Sequence, residues 1–181
     1  SPLPEYEKAF CMLLDSQRRL WLSHYGKGVK CFDQNYRLLH EYNSKTSAMY
    51  NDAVIQMAEW DNTIWFASDG GGLQVIWPET NRMQVFSNRL SDQFPASSIA
   101  CLCPSNENIW VGTVHEGVLN IESGFMTTYM KAAWRKTAGL SAKCTLCLWE
   151  DTDGRIWIGT DGGGVNRYDQ KTQKFTHYPA T

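Results

Sequence analysis

No apolar run in this 181-residue chain approaches the roughly 20 residues a membrane-crossing helix requires, so none of it is expected to enter a bilayer directly. Charge of one sign is also missing: 17 basic and 19 acidic residues, interspersed, leave a formal −2. That excludes the electrostatic footprint expected of a nucleic-acid or anionic-membrane binder. No secretory leader is visible, and the first residue is Ser1 rather than Met. The start is therefore expected to be a processed end or a boundary within a longer chain. Six cysteines are present, but not at the spacing of a secreted disulfide framework.

What the chain has is a repeat. Trp21, Trp65, Trp110 and Trp157 are each followed seven residues later by a glycine (Gly28, Gly72, Gly117, Gly164) and at eight by an aliphatic residue (Val29, Leu73, Val118, Val165). An aromatic closes each copy: Tyr42, Phe86, Tyr129 and Tyr178. Steps of 44, 45 and 47 residues between anchors, filled with short apolar runs and Gly or Asp turns, fit a β-propeller blade. A helical solenoid would carry a 3.6-residue periodicity instead.

The fourth copy is the clearest. Thr145 to Glu150 alternates as an inner strand, and Asp151-Thr152-Asp153-Gly154 supplies a turn, because Asp and Gly tolerate left-handed backbone. Ile156 to Thr160, Gly164 to Asp169 and Phe175 to Tyr178 complete four antiparallel strands. The other inner strands are expected near Phe10 to Leu14, Val54 to Trp60 and Ser98 to Cys103. The chain thus predicts an all-β fold, one partial β-propeller over 1–181, with about four blades at approximately 8–42, 53–86, 97–129 and 143–178. A blade is too thin to bury both its faces alone, so the repeated Trp and aromatic residues are expected to pack between blades. The repeated glycines are expected to allow close backbone approach. Trp157→Ala is expected to destabilise by roughly 3–5 kcal/mol, the usual loss for a packed aromatic.

The stretch IWIGTDGGGVNRYDQKTQKFTHY, from Ile156 to Tyr178, resembles the two-component regulator propeller repeat. The same signature runs through IWFASDGGGLQVI (Ile64 to Ile76), LWLSHYGKGVKCFD (Leu20 to Asp33) and IWVGTVHEGVLNI (Ile109 to Ile121). The resemblance covers the whole chain and implies a fragment of a seven-bladed propeller. It implies the periplasmic sensor region of a hybrid two-component system, which detects an oligosaccharide and signals by rearrangement of a dimer. The histidine kinase of such a system would lie elsewhere in the parent protein. The resemblance also implies binding without turnover, and no cofactor is expected.

The third copy departs from this pattern. Val114-His115-Glu116 replaces the glycine-rich turn, Pro104-Ser105 replaces Asp151-Thr152, and a long connection from Met130 to Ala142 contains Trp134 and Arg135. In a propeller, the turns between second and third strands open on the same face as the connections between blades. That face would present His24, Tyr25, Asp69, His115, Glu116 and Asp161 from the turns, and Tyr50, Arg89, Phe94, Trp134 and Arg135 from the connections. Aromatic platforms with carboxylate and guanidinium partners suit a sugar. Asp69 and Asp161 are equally read as formers of Asp-Gly turns.

Catalytic and metal readings fit less well. A glycosidase needs two carboxylates facing each other across the sugar, whereas the acids here occupy equivalent turn positions. Asp151-Thr152-Asp153-Gly154 fails the calcium-loop register, with Arg155 and Gly162 where oxygen ligands belong. Cys101 and Cys103, with Cys144 and Cys147 on the next inner strand, raise a four-thiolate metal site, but strand parity turns Cys147 away from the others. With Cys11 and Cys31, they read as small buried hydrophobes. Three functions stay open: an extracytoplasmic ligand-sensing propeller, a non-catalytic protein-interaction scaffold and a carbohydrate-active propeller enzyme. Four blades in phase also leave two blade faces uncovered. Such faces are expected to be covered by self-association, by the remaining blades of a parent propeller, or by closure into a tight four-bladed ring.

Overall fold

The computed structural model describes residues 9–91, 94–122 and 139–179, and the backbone of 134–136. Among them are sixteen strands and no helix. The first blade is β1 (Cys11–Leu14), β2 (Leu20–His24), β3 (Gly28–Phe32) and β4 (Leu38–Tyr42). The second is β5 (Val54–Trp60), β6 (Thr63–Ser68), β7 (Gly72–Trp77) and β8 (Arg82–Phe86). The third is β9 (Ile99–Pro104), β10 (Asn108–Thr113), β11 (Val118–Glu122) and β12 (Trp134–Lys136). The fourth is β13 (Thr145–Glu150), β14 (Arg155–Thr160), β15 (Gly164–Asp169) and β16 (Lys174–Tyr178). Each blade is a four-stranded antiparallel meander.

One strand differs from the expected spacing. The third blade's fourth strand, read from the sequence as ending at Tyr129, pairs through Trp134 to Lys136, with Trp134 opposite Ile121 and Lys136 opposite Leu119. Tyr129 lies outside the described residues. An aromatic at hairpin spacing marks a strand only when the hairpin is short; here 123–133 intervene between the paired strands.

The blades stack in chain order, inner strand against inner strand: β1 on β5, β5 on β9 and β9 on β13. Strand alternation gives every blade two faces. The front carries the anchor Trp, and the back carries the residues of opposite parity. Each seam lays a front on the next blade's back. Trp21, Val29 and Tyr42 pack on Met57, Ile64, Phe66 and Ile76. Trp65, Leu73, Val75 and Phe86 pack on Ile99, Leu102, Ile109, Val111 and Leu119. Trp110 and Val118 pack on Ile156 and Ile158, with Leu148, Tyr168 and Phe175 beside them.

Trp157, read from the sequence as packed between blades, is on the front of the last blade, which no other blade covers among the described residues, and is only half-buried. Its expected 3–5 kcal/mol loss on truncation therefore does not hold for the single chain. Tyr178 is exposed on the same front, whereas Tyr168 is on the back and meets Trp110 edge-on at 5.4 Å.

The repeated glycine has a specific geometry. Gly28, Gly72, Gly117 and Gly164 all have positive φ, from 72° to 86°, where a β-carbon is strained. In the first two blades that carbon would also strike the carbonyl of the blade's own last residue, at Tyr42 and Phe86. The crowding is within the blade, not at the contact with its neighbour. The glycine amide does reach the neighbour: Gly28 donates to Asp52 O (3.2 Å), Gly72 to Ser97 O (2.5 Å) and Gly117 to Lys143 O (2.8 Å). Each acceptor lies two residues ahead of the next inner strand.

The anchor indoles are held differently from blade to blade. Trp21 Nε1 donates to Asp15 Oδ2 (2.9 Å) and Trp157 Nε1 to Asp151 Oδ2 (2.8 Å). Both aspartates lie six residues before their Trp. Trp65 Nε1 uses Thr63 Oγ1 (2.7 Å). In the third blade that aspartate is replaced by Pro104, and Trp110 Nε1 is buried without a partner among the described residues.

Candidate functional site

The turns joining second to third strands (25–27, 69–71, 114–117 and 161–163) and the connections between blades open on one face. Short-range polar groups fix the first connection, 43–53. Asn43 Oδ1 accepts from Lys45 N and Thr46 N, and the Asp52 carboxylate accepts from Ser44 N and Ser44 Oγ, both at 2.7 Å. Gln74, fully buried in β7, accepts from Tyr50 N and Asn51 N and donates to Asn51 O and Ser68 Oγ. Asn166 does the same work in the fourth blade, accepting from Ser141 N and donating to Ser141 Oγ. An apolar side chain at either place would strand the connection's backbone groups. Tyr50 is thereby presented on a fixed connection with its ring exposed.

The chemically richest part of this face lies over the first two blades. Tyr25 Oη donates to Asp69 Oδ2 at 2.8 Å, joining the turns of neighbouring blades. The ring of Phe10 lies 5.5 Å from that of Tyr25, tilted by 44°. On the other side, the Arg89 guanidinium covers Gly70: a β-carbon there would be 3.7 Å from Arg89 Nη2. Tyr25, Asp69 and Arg89 are all exposed. The hydrogen bond to Asp69 and the carboxylate's charge raise the phenol pKa of Tyr25, so the hydroxyl stays a donor at neutral pH. Partial burial, with Lys30 and Lys27 nearby, holds His24 below the usual imidazole value and leaves it neutral.

Other residues nominated from the sequence are not gathered into this group. His115 is exposed and Glu116 half-buried on the third blade's turn, where Glu116 N donates to Thr113 Oγ1 at 2.8 Å. Asp161 is exposed on the fourth blade's turn. Trp134 and Arg135 lie on β12 rather than in a connection, and their side chains are outside the described residues. Phe94 is not on the surface at all: it is buried with Phe86, 6.0 Å between ring centroids, because the connection folds back over the second seam. Phe10 was missed, since it precedes the first repeat signature and reads only as the start of an inner strand.

On the opposite face, a cavity of about 340 Å³ is lined by Thr152, Asp153, Gly154, Arg155, Asp169, Gln170 and Lys171. The carboxylates at and beside it are engaged locally: Asp153 Oδ2, in the lining, accepts from Arg155 Nη1, and Asp151, next to the lining, and Asp169, within it, serve the turns. Asp151 Oδ1 accepts from Asp153 N (3.0 Å) and Arg155 N (2.9 Å), and Oδ2 accepts from Trp157. These bonds, Trp157's first, hold its pKa below the ordinary carboxylate value. Asp169 Oδ1 accepts from Lys171 N and Thr172 N.

Among the described residues no three potential metal-ligating side chains converge. Cys101 and Cys103 share the front of the third blade, while Cys147, opposite Gly159, is on the front of the fourth. Burial pushes the Cys101 thiol up to about 12 and Cys31 to about 12, so neither is a thiolate at neutral pH.

The profile of the two component regulator propeller family matches residues 139–162. No curated protein sequence matches the chain significantly. The fold superposes on the extracellular domain of the putative hybrid two component system BT3049 from B. thetaiotaomicron with a TM-score of 0.73 and 18% identity, over 96% of this chain and 22% of that one. For the extracellular domain of the putative one component system BT4673 from B. thetaiotaomicron the values are 0.74, 13%, 93% and 24%. For the RRP9 WD40 repeats they are 0.75, 8%, 98% and 53%. The chain thus spans under a quarter of the length of the two bacterial chains. Residues 139–162 carry a two component regulator propeller repeat, and the chain as a whole is a partial β-propeller with the fold of those extracellular domains.

Proposed function

We propose that this chain is the ligand-sensing propeller of an extracytoplasmic sensor in a hybrid two-component system, placed in the periplasm and recognising an oligosaccharide on its loop face. The observation that supports it most is the row Phe10, Tyr25, Asp69 and Arg89 across the first two blades. Two adjacent aromatic rings offer a platform for the apolar face of a sugar. The carboxylate and guanidinium beside them supply the acceptor and donors that fix hydroxyl orientation. Ligand occupancy would pass on as a rearrangement between two sensor chains, with a kinase carried elsewhere in the protein. The chain binds its ligand without transforming it: Asp69 is engaged with Tyr25, and Glu116 and Asp161 belong to the turns of other blades.

The test is calorimetric titration of the chain with a panel of neutral oligosaccharides. Saturable binding is expected with at least one, weakened on the order of tenfold or more by Tyr25→Ala and by Asp69→Ala, the scale of losing one well-placed polar contact. Arg155→Ala, on the opposite face, should leave it unchanged. Sensitivity to Arg155 but not to Tyr25, or hydrolysis abolished by one carboxylate substitution, would overturn the proposal.

A further inference from the structure

Three of the turns that join second to third strands carry a glycine five residues after the anchor Trp: Gly26, Gly70 and Gly162, all at positive φ between 72° and 80°. Gly26 and Gly162 are open, with no heavy atom beyond their chain neighbours within 4 Å of where a β-carbon would stand. Gly70 is covered, and its three nearest atoms all belong to one guanidinium. A β-carbon there would lie 3.7 Å from Arg89 Nη2, 3.9 Å from Arg89 Cζ and 4.0 Å from Arg89 Nη1. Such near-equal distances lay the guanidinium broadside on the turn. The blade does not require this cover, since two equivalent turns do without it.

The backbone that carries Arg89 is fixed. Arg89 N donates to Ser87 Oγ (3.3 Å), Asn88 N to Ala96 O (3.0 Å) and Asn88 Nδ2 to Pro95 O (3.2 Å), while Phe94 is buried against Phe86. A guanidinium stacked by its flat face keeps the N–H groups of its edge for a partner. Arg19 gives its own to Asp15 and Glu79, and Arg155 to Asp153 and Asp151. Among the described residues no carboxylate pairs with Arg89. Even Asp69, next to Gly70 in the chain, turns its Oδ2 to Tyr25 Oη instead.

We propose, resting on the reading of this face as a sugar site, that the oligosaccharide it takes is anionic and that Arg89 receives the carboxylate or sulfate group. Either group offers two oxygens to the guanidinium fork, and such charge-assisted pairs are roughly twice as strong as neutral hydrogen bonds. The Asp69 charge opposes an anion, but it is exposed and screened by salt, whereas the paired contact is short-range. The site then divides the ligand: the Phe10 and Tyr25 rings take an apolar sugar face, Asp69 Oδ1 a hydroxyl, and Arg89 the charge.

Calorimetric titration of the chain with three sets of sugars tests this: uronate-containing oligosaccharides, the same molecules with each carboxyl reduced to the alcohol, and sulfated oligosaccharides beside their unsulfated parents. At least one anionic sugar should bind, and removing its charged group should weaken it on the order of tenfold or more, the scale of hydrogen bonds to a charged group. The uronate and sulfate arms identify which group Arg89 takes. Arg89→Ala should cost the charged sugar the same factor, bringing it level with its uncharged counterpart. Arg89→Lys keeps the charge without the fork and should recover only part of the loss. Arg89 is exposed, so both variants should keep the wild-type circular dichroism spectrum. Equal binding of charged and uncharged sugars, or equal weakening of both by Arg89→Ala, would overturn the inference and leave the sugar reading standing. Saturable binding by no sugar, neutral or charged, would remove that reading and the inference with it.

Discussion

The first and fourth blades build the same front and meet different fates. In each, an aspartate six residues upstream accepts a hydrogen bond from the anchor indole, at 2.9 Å for Trp21 and 2.8 Å for Trp157. In each, a tyrosine from the outer strand stacks on that indole, 5.8 Å and 15° for Tyr42, 5.7 Å and 20° for Tyr178. Yet Tyr42 is 3% exposed and Tyr178 41%. The blade's own hydrogen bonds and stacking fix the conformation of these side chains. Only the next blade's back, with Ile64, Phe66 and Ile76, removes them from water. Apolar burial, the dominant stabilising term, therefore belongs to the seams and not to the blades.

That comparison is tested most strongly by truncating anchors. Trp65 is fully buried between blades, so Trp65→Ala should cost about 3–5 kcal/mol. Trp157→Ala, measured on dilute single chains, should cost roughly 1–2 kcal/mol, because only part of its transfer and cavity loss applies. Urea denaturation of the two variants gives the difference. Equal losses would mean that the blade, not the seam, is the unit of stability.

The repeat's phase was legible from the sequence because every blade needs the same things. A large indole must span the seam, and a residue at positive φ must begin the third strand, which selects glycine at Gly28, Gly72, Gly117 and Gly164. Features unique to one blade were not legible. Trp134 to Lys136 as a strand follows from pairing across a long insertion, which leaves no periodic trace. Phe94 looked like a surface aromatic because nothing in its neighbours shows that the connection folds inward. At the candidate site, Tyr25 and Asp69 were both nominated, but their hydrogen bond depends on how two blades are set side by side. Asp151 was visible as a turn former, and Asp15 was not singled out. Their hold on the indoles depends on the strand register that brings each turn under its own Trp.

A smaller effect separates the anchors by their polar partner. Trp21→Phe leaves the Asp15 carboxylate without an indole donor and should cost about 1.5–3 kcal/mol, the range for hydrogen bonds to charged groups. Trp110→Phe removes a buried N–H that has no partner among the described residues. The desolvation penalty of that group disappears with it, so the change should be within about 1 kcal/mol of neutral or slightly stabilising. Thermal denaturation of the pair decides this. A Trp110→Phe loss as large as that of Trp21→Phe would show that the third blade's indole is bonded after all.

The smallest expected effect is a difference in pH response between anchors. Asp151 is held below the ordinary carboxylate value first by the Trp157 indole and then by the Arg155 amide, so ionised Asp151 stabilises the fourth blade's turn. For a depressed folded-state pKa, the contribution is complete above the unfolded value of about 4 and is lost as pH falls through the folded value. The Trp157 indole N–H resonance should therefore hold its position from neutral pH down to about 4 and move only below it, where the proton displaces the indole from Asp151. Trp110, which follows Pro104 and has no aspartate at that place, should not respond in the same window. Indole resonances assigned through Trp157→Phe and Trp110→Phe give both curves in one titration of the folded chain. Identical curves would mean that the movement reports global acid unfolding rather than the Asp151 bond, and the distinction between the two blades would fail at this level.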